Sequence, residues 1–228
     1  CLTLNVSAPA STPTEPAPTG RRPVMVFIHG GAYLMGTSAT AMYSGTTLVR
    51  RGDVVHVSLN YRLGALGYLE FRQFSTPDRT FDSNLGLRDQ VAALQWVQRN
   101  IAAFGGDPDN VTIFGESAGG NAVTTLTTVP AAKGLFHKAI SQSSAPGMVA
   151  TSDRSEKWGR DFVELLGATP DTAADALAGA DVADLLKAAH RLGSKSLRET
   201  PGLIPFGPSV DGDYVPEAPL EAYRSGRA

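Results

Sequence analysis

The sequence predicts an α/β fold in which a mostly parallel sheet carries helices on its flanks. The apolar run at residues 24–28 is continuous, and residues 53–61, 111–114 and 138–143 read as further buried strands. Strands covered on both faces of a parallel sheet read this way, whereas half-exposed strands alternate. Residues 84–104 instead repeat apolar side chains at steps of three and four, as an amphipathic helix does. Strands alternating with helices in this order select parallel pairing through right-handed crossovers.

The elements follow in chain order. Residues 1–6 (CLTLNV) are strand-like, and residues 7–23, rich in Pro, Ala and Thr, form an extended exposed connection to the next strand. Residues 24–28 make that strand, and residues 53–61, with VVHVSL at their heart, make another. In the helix over 84–104, Leu87, Val91, Leu94, Val97, Ile101 and Phe104 lie on one face. Ser83 or Asn84 can cap its start, and Gly105-Gly106-Asp107-Pro108 ends it. The strand at 111–114 runs straight into Gly115-Glu116-Ser117-Ala118-Gly119 and a helix-compatible stretch to Val129, and 138–143 supplies a fourth buried strand.

After Pro146 the pattern becomes helical, at about 154–166, 172–177 and 182–190. Trp158, Phe162 and Leu165 share one face of the first helix; Val182, Leu185, Leu186 and Ala189 share one face of the last. Because no strand interrupts them, residues 1–228 are expected to be one partial α/β domain with a helical excursion at about 150–205.

Composition narrows the partner. A net charge of −2 with no block of like charge lacks the electrostatic footprint of a nucleic-acid binder, so a small molecule is expected. The longest apolar runs are strand-sized, so no membrane span is expected, and CLTLNV lacks the regions of a signal peptide. The single cysteine, Cys1, excludes an internal disulfide and a zinc site built on cysteine pairs. On that ground a cytoplasmic location is slightly favoured over secretion.

Two motifs carry chemistry. Gly115-Glu116-Ser117-Ala118-Gly119 places a serine between a buried strand and a helix, with glycine two residues away on each side. That arrangement lifts the hydroxyl out of a sharp, strained turn, and glycine at 115 and 119 removes side chains that would strike the adjacent strand and helix. At a helix N-terminus, free amides favour the negative charge that develops in acyl transfer. The second motif, His29-Gly30-Gly31-Ala32, leaves the strand at 24–28 at the same carboxyl edge of the sheet. Its small residues let the amides of Gly31 and Ala32, joined by that of Ala118, point at a tetrahedral oxygen. His29 itself is read as a packing or hydrogen-bonding residue, because in this arrangement the catalytic histidine comes last in the chain.

These motifs, together with CLTLNV, VMVFIHGGAYLMG, NYRLGALGYL, NLGLRDQVAALQWVQRNIAAFGGDPDNVTIFGESAGG, KGLFHKAISQSS and PSVDGDYVP, resemble the type-B carboxylesterases, a family that includes para-nitrobenzyl esterases and cholinesterases. The resemblance implies an α/β-hydrolase fold, with Ser117 as nucleophile and Gly31, Ala32 and Ala118 as oxyanion donors. It implies supporting roles for Gly30, Gly115, Glu116, Gly119 and Ser143, and a buried ion pair between Arg62 and Asp89. Ala32 stands where members often have a third glycine, and Ser144 stands where glycine is usual.

The expected function is hydrolysis of small-molecule carboxylic esters through an acyl-enzyme, with no metal or organic cofactor. In the family the triad acid follows the VDGD segment and the histidine comes much later, so both are expected beyond residue 228 and the chain is expected to be a fragment. His56, His137 and His190 are not expected to act as the base, and Asp53, Glu70 and Asp82 are expected at the surface or in caps. The alternatives are a catalytically silent, cholinesterase-like protein-binding scaffold and an inactive fragment.

Overall fold

A computed structural model describes residues 2–10 and 20–228. Cys1 and residues 11–19, the middle of the expected Pro-rich connection, lie outside the described residues. The elements in order are β1 (Leu4–Ser7), β2 (Arg22–Ile28), α1 (Thr46–Gly52), β3 (Val55–Leu59), α2 (Gly64–Tyr68), α3 (Leu85–Asn100), β4 (Gly106–Glu116), α4 (Ala118–Leu126), β5 (Lys138–Gln142), α5 (Ser152–Leu165), α6 (Ala173–Gly179), α7 (Val182–Glu199) and α8 (Pro219–Arg224). They fall into two compact units, each described by itself below.

The first unit takes residues up to Gly31, Met35–Tyr61 and Leu87–Pro146, and it holds the whole sheet. Strand order is β1-β3-β2-β4-β5, with β1 antiparallel at one edge and the remaining pairs parallel. Val24, Val26, Ile28, Val55 and Val57 are wholly buried, which is why apolar residues dominate β2 and β3. The chain leaves β2 for β3 on one side and returns to β4 on the other, so strand order reverses at β2. At such a reversal the carboxyl ends of neighbouring strands open a crevice.

Two expectations about the strands need correction. β4 begins at Gly106 rather than Val111, because the chain leaving α3 already pairs Gly106 with Arg22 across an irregularity in the ladder. The buried strand expected at 138–143 is instead exposed from Lys138 to Gln142, with Ile140 at 45%. Among the described residues β5 pairs with β4 alone, and an edge strand keeps much of its surface in water.

Helix α3 buries Leu87, Val91, Leu94 and Val97, each worth about 2 kcal/mol when removed from water. The helical stretch tightens to a 3-10 turn over Ile101–Phe104 and is ended by Gly105 in the left-handed region, φ 78°. That tighter turn carries Phe104 off the buried face, and it is 43% exposed beside Trp96 at 6.0 Å. Asn84 does not spend its side chain on a cap: it donates to Ser209 O and Asp211 Oδ2 and accepts from Ser209 N.

The second unit gathers Ala32–Leu34, Arg62–Gly86 and Gly147–Ala228. A small core of Phe74, Val163 and Ala173, joined by Phe71 and Phe81, packs α5 and α6 onto the segment after α2. Trp158 and Phe162 are buried in α5 as expected, with Leu165 partly so. In α7 the expected apolar face is the open one. Val182 and Leu186 are 64% and 65% exposed, and the buried stripe is Ala188, Leu192 and Ser196. Lys195 Nζ joins α7 to α5 at Asp161 Oδ1, 2.9 Å away. The displaced face instead lines an apolar cavity of about 480 Å³ with Leu34, Leu66 and Phe206.

Glu70, expected at the surface, is 3% exposed. Its carboxylate accepts the Arg72 amide at 2.8 Å and pairs with the Arg72 guanidinium, which compensates its burial. Nearby, Asp211 ties the chain before α8 to the start of α3, accepting from Ser83 Oγ, Asn84 Nδ2 and the amides of Asp213 and Val215. Burial pushes this carboxyl up, but those donors outweigh burial and hold it below its ordinary value of 3.8. A carboxylate depressed on folding contributes stability above its unfolded value, and that contribution is lost as pH falls through the lower folded value. Asp211→Ala is therefore expected to cost about 2 kcal/mol at neutral pH. In urea unfolding, the difference from wild type should shrink below about pH 4; a constant difference would assign the loss to packing.

Candidate active site

The serine and the glycine loop are brought together by the register of one strand pair. β2 and β4 pair Ile28 with Gly115, so residues 29–31 and 116–118 leave the same sheet edge side by side. Ser117 is exposed, at φ 58° and ψ −121°, a conformation L-residues rarely adopt and one that costs about 1–3 kcal/mol. Its amide donates to Gln142 O at 3.0 Å, and its carbonyl accepts Asn121 N at 2.8 Å as the first turn of α4 closes. Ser117 thus occupies the position before the helix, with Ala118 and Gly119 as its first residues.

The flanking glycines are required by close backbone approach. A Cβ at Gly115 would stand 2.6 Å from Gly119 O and 2.7 Å from Ile28 O. At Gly119 it would collide with Ile28 O and come within 3.0 Å of His29 C. At Gly30 it would lie 2.7 Å from Glu116 O and 3.3 Å from Ser117 Cβ, so the loop after β2 lies directly against the serine. Gly31 adopts φ 109°, and Met35 N donates back to Gly31 O at 3.1 Å to close the turn.

Ala32 and Tyr33 continue the chain at φ 55° and 59°. A non-glycine residue in the left-handed region costs about 1–2 kcal/mol, so glycine at 32 has a conformational reason beyond leaving the amide free. Ala118 is buried, while Glu116 is exposed with Oε2 3.5 Å from the position of a Gly30 Cβ. Ser143 is exposed at φ 51°, and its neighbour Ser144 bonds Thr124 Oγ1 at 2.9 Å.

The four histidines have separate surroundings. His29 is 1% exposed, and burial pushes its pKa down, with a bond to Gly30 O opposing. His56 lies inside β3 at 3% exposure, lowered by burial. His137 is exposed and accepts Val111 N at 3.2 Å, and His190 lies on α7 at the rim of the apolar cavity. Among the described residues, none is hydrogen-bonded to Ser117, no group of three or more His, Cys, Asp or Glu could hold a metal ion, and no helix is long and apolar enough to cross a membrane. Sequence reasoning passed over Tyr61, whose ring stacks on His29 at 4.5 Å and whose hydroxyl donates to His29 O at 2.6 Å. Its signal was position: it follows β3 at the edge where the two motifs emerge.

A model of the carboxylesterase family matches residues 1–228. The para-nitrobenzyl esterase of Bacillus subtilis is 43% identical over all of this chain, which spans 44% of that protein. The bile salt-activated lipase of Rattus norvegicus is 41% identical over 98% of this chain, which spans 37% of it. Among solved structures, a thermophilic PNB esterase superposes with a TM-score of 0.88 at 41% identity, covering all of this chain and 45% of that one. The chain therefore spans less than half the length of these relatives, and its sheet with flanking helices is part of an α/β-hydrolase fold.

Proposed function

The chain belongs to the carboxylesterase family, and from that premise we propose that it carries the nucleophile and oxyanion hole of a serine hydrolase acting on small-molecule carboxylic esters. The observation that carries the proposal is the close approach of Gly30 to Ser117, which sets a strained, exposed hydroxyl against a turn of small residues.

Ser117 Oγ attacks the ester carbonyl carbon, forming a C–O bond while the carbonyl electrons move onto oxygen. The amides of Gly31, Ala32 and Ala118 hold that oxyanion; each such donor is typically worth about 3 kcal/mol in the transition state. The bond to the alkoxy group then breaks, and the proton taken from Ser117 leaves on the alcohol. Water, deprotonated by the same base, releases the acid and restores Ser117. Gly30, Gly115 and Gly119 permit the approach, Glu116 shapes the mouth of the site, and Ser143, just after β5, supports it. The base and its acid are proposed to lie in the full-length protein outside residues 1–228, because His29, His56, His137 and His190 all have other surroundings.

Para-nitrophenyl acetate hydrolysis and labelling by an organophosphate test this reading. The full-length protein is expected to hydrolyse the ester and to be labelled on Ser117, while residues 1–228 alone retain only a small residual rate from oxyanion binding. A well-folded full-length protein that is neither active nor labelled would instead be a binding scaffold.

A further inference from the structure

We infer that His29 and Tyr61 are positioning residues that aim the oxyanion-binding amides, an inference that rests on the role proposed for Ser117 and Gly31. In a trans peptide the C=O of one residue and the N–H of the next point in opposite directions, so whatever holds the carbonyl also aims the amide. His29 Nδ1 lies 2.8 Å from Gly30 O. A carbonyl only accepts, so Nδ1 carries the proton and donates. Holding Gly30 O in this way directs Gly31 N–H to the opposite side, where the oxyanion is proposed to form.

Tyr61 holds the preceding peptide, whose amide on Gly30 is not among the proposed donors, and so acts on Gly31 N–H through the turn and through His29. Its hydroxyl donates to His29 O at 2.6 Å, directing Gly30 N–H away from Tyr61. Its ring also stacks on the imidazole with 21° between planes, fixing the direction of the Nδ1–H bond. Gly36 closes the other side: a Cβ there would stand 2.6 Å from His29 Cε1 and 2.8 Å from Gly30 O. The imidazole is therefore caged and 1% exposed, with Nε2 free of any hydrogen bond. An imidazolium would bury an unpaired N–H at Nε2, so the ring stays neutral and serves as a fixed donor.

Three variants of the full-length protein test this, with kcat and KM for para-nitrophenyl acetate and inhibition by a trifluoromethyl ketone as readouts. His29→Leu is expected to lower kcat about 100-fold with KM little changed, the loss typical of one oxyanion donor. His29→Asn, which keeps an N–H near the Nδ1 position, should restore most of it. Tyr61→Phe keeps the stacked ring and should lower kcat about tenfold, and it carries the test should His29→Leu fail to fold. Affinity for the ketone, whose tetrahedral adduct bears the oxyanion, should fall in parallel with kcat. A kcat within twofold of wild type in Tyr61→Phe, or losses confined to KM, would overturn the inference. Undiminished activity in Ser117→Ala would instead overturn the nucleophile assignment, so the two failures are distinguishable.

Discussion

Replacing Ser117 by alanine should lower kcat of the full-length protein on para-nitrophenyl acetate by about 10⁴-fold or more. Losing the nucleophile of such a site removes most of the rate enhancement, and oxyanion binding sustains only the remainder. The fold should survive, because the hydroxyl is exposed and the backbone of residue 117 makes the bonds to Gln142 and Asn121. Ser117→Gly separates function from strain. Glycine takes φ 58° without a side-chain penalty, so this variant should be equally inactive yet more stable by about 1 kcal/mol. Urea midpoints measured beside the rates check both halves. An inactive Ser117→Gly that is less stable than wild type would mean that the serine side chain holds the turn, and the strain argument would fail.

Gly119→Ala should be among the most disruptive single-methyl additions near Ser117, alongside Gly31, where φ is 109° and a Cβ would strike Met35 O. At Gly119 the new Cβ would collide with Ile28 O and stand 2.9 Å from Ile28 C and 3.0 Å from His29 C. All of these are backbone atoms of β2 and the loop after it, so no side chain can swing aside. Relief requires α4 to back away from the sheet, and overpacking of this kind costs about 3 kcal/mol. Because α4 begins at Ala118 and the Gly30 loop leaves β2, the same movement separates Ser117 from the turn proposed to bind the oxyanion. Organophosphate labelling should therefore slow even where the variant folds. Gly193→Ala is the control: it lies inside α7 with open space around the added carbon and should gain about 1 kcal/mol. A Gly119→Ala protein with the wild-type urea midpoint would show that α4 and β2 yield more easily than close-packed backbone should.

Much of the fold was legible because burial writes itself into local sequence. Apolar runs announced β2 and β3, and steps of three and four announced the buried stripe from Leu87 to Ile101. Where local pattern failed, the missing information was the neighbour. Lys138–Gln142 follows the alternation of strands and helices and was expected as a buried strand, yet among the described residues it pairs with β4 alone and stays exposed. Val182 and Leu186 looked like a packing stripe, but the stripe that α7 buries is Ala188, Leu192 and Ser196, and which side of a helix meets a neighbour is not written in its own sequence. Glu70 looked like a surface carboxylate and is buried because Arg72 accompanies it.

The site divides along the same line. Local residue pattern by itself determined the elbow and the small-residue loop, because a sharp turn before a helix and a close backbone approach each demand glycine within a few positions. It also specified the family, through ordered motifs spread along the whole chain. Only the tertiary structure decided that Ile28 pairs with Gly115, that Gly30 therefore meets Ser117, and that Tyr61 braces His29. Those contacts join residues tens of positions apart, and strand register and side-chain packing, which set them, are properties of the assembled sheet rather than of any single segment.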